Sequence, residues 1–178
     1  MAKKKSSKVA TFVGLFVVLL GALAACALFM PYISAKLTSL IGNSEATTIS
    51  GLEFVKCLFN GNKITADGNF LIKMFVGIEK FSTATYAVEI GAVASAGCGL
   101  LMVFFGFFYM ITKSKLMRML TIISSFLTFA GGLAAMISVI VIGKALSVDA
   151  VIAGTLVSVS AGSIIAMCAG FVGFVGMV

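Results

Sequence analysis

The chain has 178 residues, of which 61% are hydrophobic, and its mean hydropathy is +1.19. Soluble domains are about half apolar, so this composition excludes an ordinary soluble domain and predicts an integral membrane protein. Histidine is absent, which excludes histidine-based catalysis, and the formal net charge is +7. The four cysteines are scattered without a CxxC pair, so we predict neither a structural zinc site nor a thiol–disulfide relay.

The apolar residues form four blocks, each of about 20 residues or more, the length that a helix needs to cross a hydrocarbon core about 30 Å thick. Because the blocks do not alternate as barrel strands do, we predict helices. The predicted fold is an all-α integral membrane protein with four transmembrane helices. Its segments are a basic tail (1–8), helix one (9–31), a long outer loop (32–83), helix two (85–111), an inner link (112–118), helix three (119–143), an outer turn (144–149) and helix four (150–177).

The basic residues predict the orientation. Seven of them, without acidic neighbours, lie in the tail and the inner link: Lys3, Lys4, Lys5, Lys8, Lys113, Lys115 and Arg118. The positive-inside rule places both termini in the cytoplasm and the long loop outside. These residues predict contact with the lipid bilayer rather than with nucleic acid, because they lack interleaved aromatic residues and a domain to present them.

The first block permits a second interpretation. Leu23-Ala24-Ala25-Cys26 is typical of a bacterial lipoprotein signal, in which the cysteine is lipidated and becomes the mature N-terminus. However, the apolar run continues to Met30, whereas a cleaved signal has a core of only about 7–15 apolar residues. We therefore expect a retained first helix, with lipidation of Cys26 as the alternative, and a bacterial plasma membrane as the location.

The long outer loop contains two stretches with helical spacing of apolar residues, Leu52–Phe59 and Phe70–Ile78, separated by turn-forming residues. We predict two short amphipathic helices, with a β-hairpin turning at Asn60–Lys63 as the alternative. The loop contains a single cysteine, Cys57, so it has no internal disulfide.

Two predicted helices carry small residues at every fourth position, the spacing that lets membrane helices approach closely. In helix four these residues are Gly154, Ser158, Gly162, Ala166 and Gly170, and in helix two they are Ala87, Gly91, Ser95 and Gly99. The two helices run in the same direction on this topology, so the two ridges can meet within one chain or between copies. Helix three carries a stripe of hydroxyl and small residues from Thr121 to Ser138, which fits helix packing or the lining of a wet path.

Glu89 is the one ionisable residue inside a predicted span, which makes it a candidate functional residue. It lies one turn below Tyr86, at the same level as Lys144, so we expect the two to pair. An ion- or proton-handling role is the alternative. Asp149 is expected to cap helix four. The three tyrosines fall at block ends, where their rings prefer the headgroup level.

The layout of a basic N-terminus, a long first outer loop and a short basic inner link resembles that of the claudin and PMP22-type tetraspan proteins. The segment Gly51–Cys57 is similar to the claudin loop signature, but Glu53 stands at the tryptophan position, the cysteine is one residue late and its disulfide partner is missing. The resemblance implies a shared layout and no residue roles.

These features predict a non-enzymatic multi-pass protein, without a cofactor or bound metal, that acts by helix–helix association. In this hypothesis the outer loop is the partner surface, and the chain forms a homo-oligomer or binds another membrane protein. The alternatives are a small oligomeric channel or transport component that uses Glu89, or an auxiliary subunit of a larger membrane complex.

Overall fold

The computed structural model describes residues 2–38, 44–59, 79–148 and 155–178. The helices are α1 (Ala2–Cys26, followed by a 3-10 turn at Ala27–Phe29), α2 (Gly51–Phe59), α3 (Glu79–Thr112), α4 (Lys115–Val148) and α5 (Ala161–Met177). The strands are β1 (Pro31–Thr38), β2 (Ser44–Ser50) and β3 (Thr155–Val159). The second predicted loop helix, the alternative hairpin turn, Asp149 and Gly154 lie outside the described residues.

Among the described residues, three helices are long and apolar enough to span a membrane: Lys8–Phe29, Thr83–Thr112 and Lys115–Lys144. They confirm that the chain is mostly helical, and their length and apolar composition are compatible with the predicted membrane location. The fourth apolar helix, Ala161–Met177, is shorter, at 17 residues. Helix α5 therefore begins 11 residues later than the predicted start at residue 150, because part of the last apolar block forms strand β3.

The four long helices form a bundle. Helix α1 packs along α3, α3 along α4 and α4 along α5, which in turn packs against α1. Neighbours run antiparallel, since Gly21 of α1 lies against Gly99 of α3, and Gly91 of α3 lies against Gly131 of α4. We call one end of the bundle the link end, because the connection of α3 to α4 lies there. This link is only Lys113–Ser114, since both helices extend into the predicted inner link.

A three-stranded antiparallel sheet covers the opposite end, which we call the sheet end. The strand order is β2-β1-β3, with Ile33 of β1 paired with Ile49 of β2 and with Val159 of β3. The prediction of an all-α fold was therefore wrong at this end. Strand β3, with the sequence TLVSV, is rich in β-branched residues, which suit a pleated surface when a partner strand is available.

The first predicted loop helix is confirmed as α2. It begins with a capping box, in which the Glu53 main-chain N–H donates to the Ser50 hydroxyl at 3.3 Å and the Ser50 main-chain N–H donates to the Glu53 carboxylate at 2.7 Å. The buried side chains of α2 are Phe54 and Cys57, whereas Leu52 is only half-buried. The face that packs on the bundle is thus rotated from the one that the apolar spacing predicted.

Candidate functional site at the sheet end

Tyr32 is the central residue of the sheet end. It is fully buried, although its position at a block end predicted a headgroup-level ring. Its ring is held between two glycines: a Cβ added to Gly51, the first residue of α2, would lie 2.7 Å from the ring, and a Cβ added to Gly162, in the first turn of α5, would lie 2.6 Å from it. Neither glycine therefore has room for a side chain while the tyrosine occupies this place.

Hydrogen bonds fix Tyr32 to two further parts of the chain. Its hydroxyl lies 3.3 Å from the Ser95 hydroxyl of α3, and its carbonyl accepts from the Ser160 main-chain N–H at 3.1 Å. Because the Ser95 hydroxyl donates to the Ala92 carbonyl at 3.1 Å, Tyr32 is the donor to Ser95. Burial raises the pKa of the Tyr32 hydroxyl, and the Ser95 hydrogen bond partly offsets this rise. One residue thus connects the sheet with α2, α3 and α5.

Glu89 lies on α3 and is fully buried. Neither of its carboxylate oxygens has a hydrogen-bond partner of ordinary geometry among the described residues. An ionised carboxylate in such a place is very costly, so the group must hold a proton or share a cation. This is the most unusual polar environment in the described part of the chain.

The predicted pairing of Glu89 with Lys144 is not formed. Lys144 is exposed on α4, whereas Glu89 points into the space below α2. The thiol of Cys57, on the buried face of α2, lies close enough to the carboxylate for the two groups to interact. Burial raises the pKa of Cys57 to about 11, and the neighbouring Glu89 carboxylate contributes to the rise. The sequence does not predict this pair, because nothing in the spacing of residues 57 and 89 brings them together.

The predicted small-residue ridges lie within the chain but do not meet each other. On α3, Gly91 packs against Gly131 and Ala135 of α4, and Gly99 packs against Ala24 of α1. Helices α3 and α5 are diagonal in the bundle, so they share few contacts.

On α5, Gly170 packs against the main chain of Phe129 in α4, and Ala166 is fully buried. Ser158 does not belong to a helical ridge, because it lies on strand β3, where it pairs with Ser34. The close approaches expected of small residues thus occur between sequence-adjacent helices, whose antiparallel packing brings their glycines together.

The hydroxyl stripe of α4 bonds within its own helix. Thr121 donates to the Met117 carbonyl at 2.7 Å, Ser125 to the Thr121 carbonyl at 2.8 Å and Thr128 to the Ser124 carbonyl at 2.9 Å. All these side chains are buried. Their hydroxyl protons are therefore committed to main-chain acceptors one turn earlier, which fits a packing face.

The remaining candidate residues lie apart from Glu89. Cys26 is the last residue of α1 and is exposed, next to Ala27, which is buried. Within the described ranges, no three acidic or cysteine side chains come together as metal ligands would. The sheet end therefore contains two features: the Tyr32 clamp, in which the ring of Tyr32 packs between Gly51 and Gly162, and the buried carboxylate–thiol pair of Glu89 and Cys57.

A comparison of the chain with protein-family models, with curated protein sequences and with solved structures found no match. The claudin-like layout therefore carries no family assignment, and the function has to be inferred from geometry.

Proposed function

We propose that this chain is a non-enzymatic membrane protein that acts by association and presents its sheet end to a protein partner. The observation that carries the proposal is the clamp at Tyr32. Its ring lies between Gly51 and Gly162, and its hydroxyl reaches Ser95. The start of β1, just after α1 and its 3-10 turn, is therefore fixed to the bundle. A surface held in one orientation binds a partner without the cost of ordering it first, because less conformational entropy is lost.

We also propose that all four long helices cross the membrane, with the link end in the cytoplasm. Gly162, at the start of α5, lies against Ala27 at the end of the first span, and Met177, at its end, accepts a hydrogen bond from Arg118. Helix α5 thus runs from the level of Ala27, at the end of the first span, to the level of Arg118, at the start of α4. Its 17 residues rise about 26 Å along this path. The basic residues Lys8, Lys113 and Arg118 all lie at the link end, which the positive-inside rule favours for the cytoplasmic side of a bacterial plasma membrane.

The packing also restricts how copies of the chain can associate. Among the described ridge glycines, Gly91, Gly99 and Gly170 are covered by neighbouring helices of the same chain and Gly162 is covered by the Tyr32 ring, so contact between copies has to use other faces. Large apolar side chains are exposed along the helices, including Phe12 at 70% and Phe104 at 55%, as expected of surfaces that face lipid. The sheet end is then the surface available for a specific partner, either a second copy or another membrane protein.

Photo-crosslinking tests this proposal. A photoreactive amino acid is placed at Lys56 of α2 or at Ser158 of β3, both exposed at the sheet end, and at Phe104 as a lipid-facing control. In membranes of the source cell, we expect adducts of one defined mass from the first two positions only. Masses that are multiples of 18.4 kDa indicate a homo-oligomer. Defined adducts from Phe104, with none from the sheet end, would overturn the proposal.

The buried Glu89 favours a second candidate function, a proton- or cation-handling component of a transporter. Ionisable residues inside membrane spans commonly serve such pathways, and a buried carboxylate whose neighbour is the Cys57 thiol rather than a cation is suited to exchange a proton or bind a cation. What supports this candidate is Glu89 alone, since the α4 hydroxyls are bonded within their helix.

Flux measurements separate the two candidates. The purified protein is reconstituted in vesicles that contain a pH-sensitive dye, and proton flux is compared between the unchanged chain and Glu89→Gln. Transport through this residue predicts flux that the substitution abolishes, with the fold retained. Flux that is equal in both proteins, or absent from both, counts against the transport candidate and leaves association as the function.

A further inference from the structure

The link end contains a cavity of about 370 Å³ that the proposed function does not use. All four long helices contribute to its walls: Val9, Ala10 and Val13 from α1, Tyr109 from α3, Arg118 from α4 and Gly176 from α5. Polar and apolar atoms contribute equally to the surface of its walls, and a guanidinium and a phenol are among the polar groups. This composition fits an amphiphile rather than a fully polar solute.

Arg118 is held in a fixed position at this cavity. Its Nε donates to the Met177 carbonyl at 2.9 Å, and its Nη2 donates to the oxygens of Met177 and Val178 at 2.7 and 2.8 Å. The two N–H groups of Nη1 have no acceptor within the described part of the chain. A guanidinium that is already ordered loses little further entropy when it binds a phosphate, and its planar donors match phosphate oxygens.

The charged side chains that line the cavity or lie beside it all have the same sign. Lys8 on α1 and Lys115 on α4 are exposed at the same end, near Arg118. The sequence has no aspartate or glutamate before residue 45 or between residues 90 and 148, so no acidic side chain from α1, from the second half of α3 or from α4 counters these charges. The field at this end therefore attracts anions.

We propose that the link-end cavity binds one anionic phospholipid, with the headgroup phosphate on Arg118 and an acyl chain along α1. Val9 and Phe12, which are 61% and 70% exposed, supply an apolar surface that leads from the cavity along the bundle. Free phosphate shares the guanidinium contact but gains nothing from this surface, which is why a lipid is the favoured ligand. The site is independent of the partner surface at the sheet end.

Native mass spectrometry of the full chain tests this assignment. The delipidated protein is titrated with phosphatidylglycerol, with phosphatidylcholine of the same acyl chains and with inorganic phosphate. Both lipids offer a phosphate to Arg118, but phosphatidylcholine also carries a choline cation, which the neighbouring Lys8 and Lys115 repel. We therefore expect one phosphatidylglycerol per chain, retained about tenfold more tightly than phosphatidylcholine. Equal retention of the two lipids, or equal binding of inorganic phosphate, would overturn the proposal.

Two glycines provide a matched pair of variants that leave Arg118 intact. A Cβ added at Gly176 or at Gly97 meets no other atom within 4 Å, so neither position resists a side chain. Gly176 lines the cavity, whereas Gly97 is exposed on α3 away from it. Gly176→Leu should fill the cavity and abolish the preference for phosphatidylglycerol, and Gly97→Leu should retain it. If a folded Gly176→Leu protein keeps the preference, as judged by an unchanged helical circular dichroism signal, the lipid lies elsewhere.

Discussion

The Tyr32 clamp makes a sharp prediction for the smallest possible change, Gly162→Ala. The new methyl group would lie 2.6 and 2.7 Å from two carbons of the Tyr32 ring and 3.0 Å from the Ala27 carbonyl oxygen. Gly51 also packs against this ring, which limits how far the ring can shift in place. The bundle therefore has to separate α5 from the sheet, or the ring has to leave its place.

Three contributions set the size of the effect. Overpacking of this kind costs about 1–3 kcal/mol of stability. Moving the ring also weakens the Tyr32–Ser95 hydrogen bond, which is worth about 1 kcal/mol. In the opposite direction, alanine stabilises a helix by about 1 kcal/mol relative to glycine. The net loss is about 1–3 kcal/mol, which lowers the Tm of a chain of this length by roughly 2–12 °C.

Thermal unfolding in detergent, followed by circular dichroism, measures this loss. Gly97→Ala is the control, because its methyl group meets nothing within 4 Å. Tyr32→Ala supplies the second background for a double-mutant cycle, since removing the ring removes the obstacle. The effect of Gly162→Ala should then shrink or change sign. The reasoning is refuted if Gly162→Ala costs the same in both backgrounds, or if it is as harmless as Gly97→Ala.

Four further outcomes are expected. Gly170→Ala should lower the Tm at least as much as Gly162→Ala, because its methyl group meets the Phe129 main chain rather than a side chain; a neutral result would show that α4 and α5 are not so closely packed. Tyr32→Phe should cost about 0.5–1.5 kcal/mol, near the lower limit because Ser95 keeps its bond to the Ala92 carbonyl; urea-dependent unfolding measures it, and no loss would mean that the hydroxyl bond is not formed. With Cys57 as the sole cysteine, the rate of alkylation should rise with a midpoint near the raised pKa of about 11, since the thiolate is the nucleophile. Because the pKa of Cys57 is higher in the folded state, its contribution to the free energy of unfolding falls as the pH rises from the ordinary thiol pKa toward 11. Glu89→Gln should lower the midpoint of alkylation only in part, since burial is the larger cause of the raised pKa. An unchanged midpoint would show that the two residues do not interact. Finally, the mass of the chain from source membranes should include residues 1–25, because α1 packs along α3 through Gly21 and Gly99; a chain that begins at a lipidated Cys26 would contradict the retained helix.

The amino-acid sequence alone determined that the chain is mostly helical and where its first three long helices, each long and apolar enough to span a membrane, lie. Long apolar blocks in lipid have to satisfy their main-chain hydrogen bonds internally, so block length predicts the helix with no knowledge of neighbours. Helix α2 was predictable for a similar local reason, and the Ser50–Glu53 capping box is a further local signal of its start.

The small residues were recognisable as packing positions, but their partners were not. Spacing shows that Gly91 and Gly170 share a property, and only the order of helices around the bundle decides what each one touches. That order places α3 and α5 on a diagonal, so their ridges contact α1 and α4 instead of each other.

The tertiary structure decided the sheet end. The stretch Thr155–Val159 is apolar and β-branched, which permits either the first turns of a helix or a strand, and pairing with β1 selects the strand. In the same way, a tyrosine at a block end is expected at the level of the lipid headgroups, but the Tyr32 ring instead packs inside the protein, between Gly51 and Gly162. Glu89 lies beside Cys57 of α2 while Lys144 is exposed, and this arrangement depends on long-range contacts that no local pattern contains.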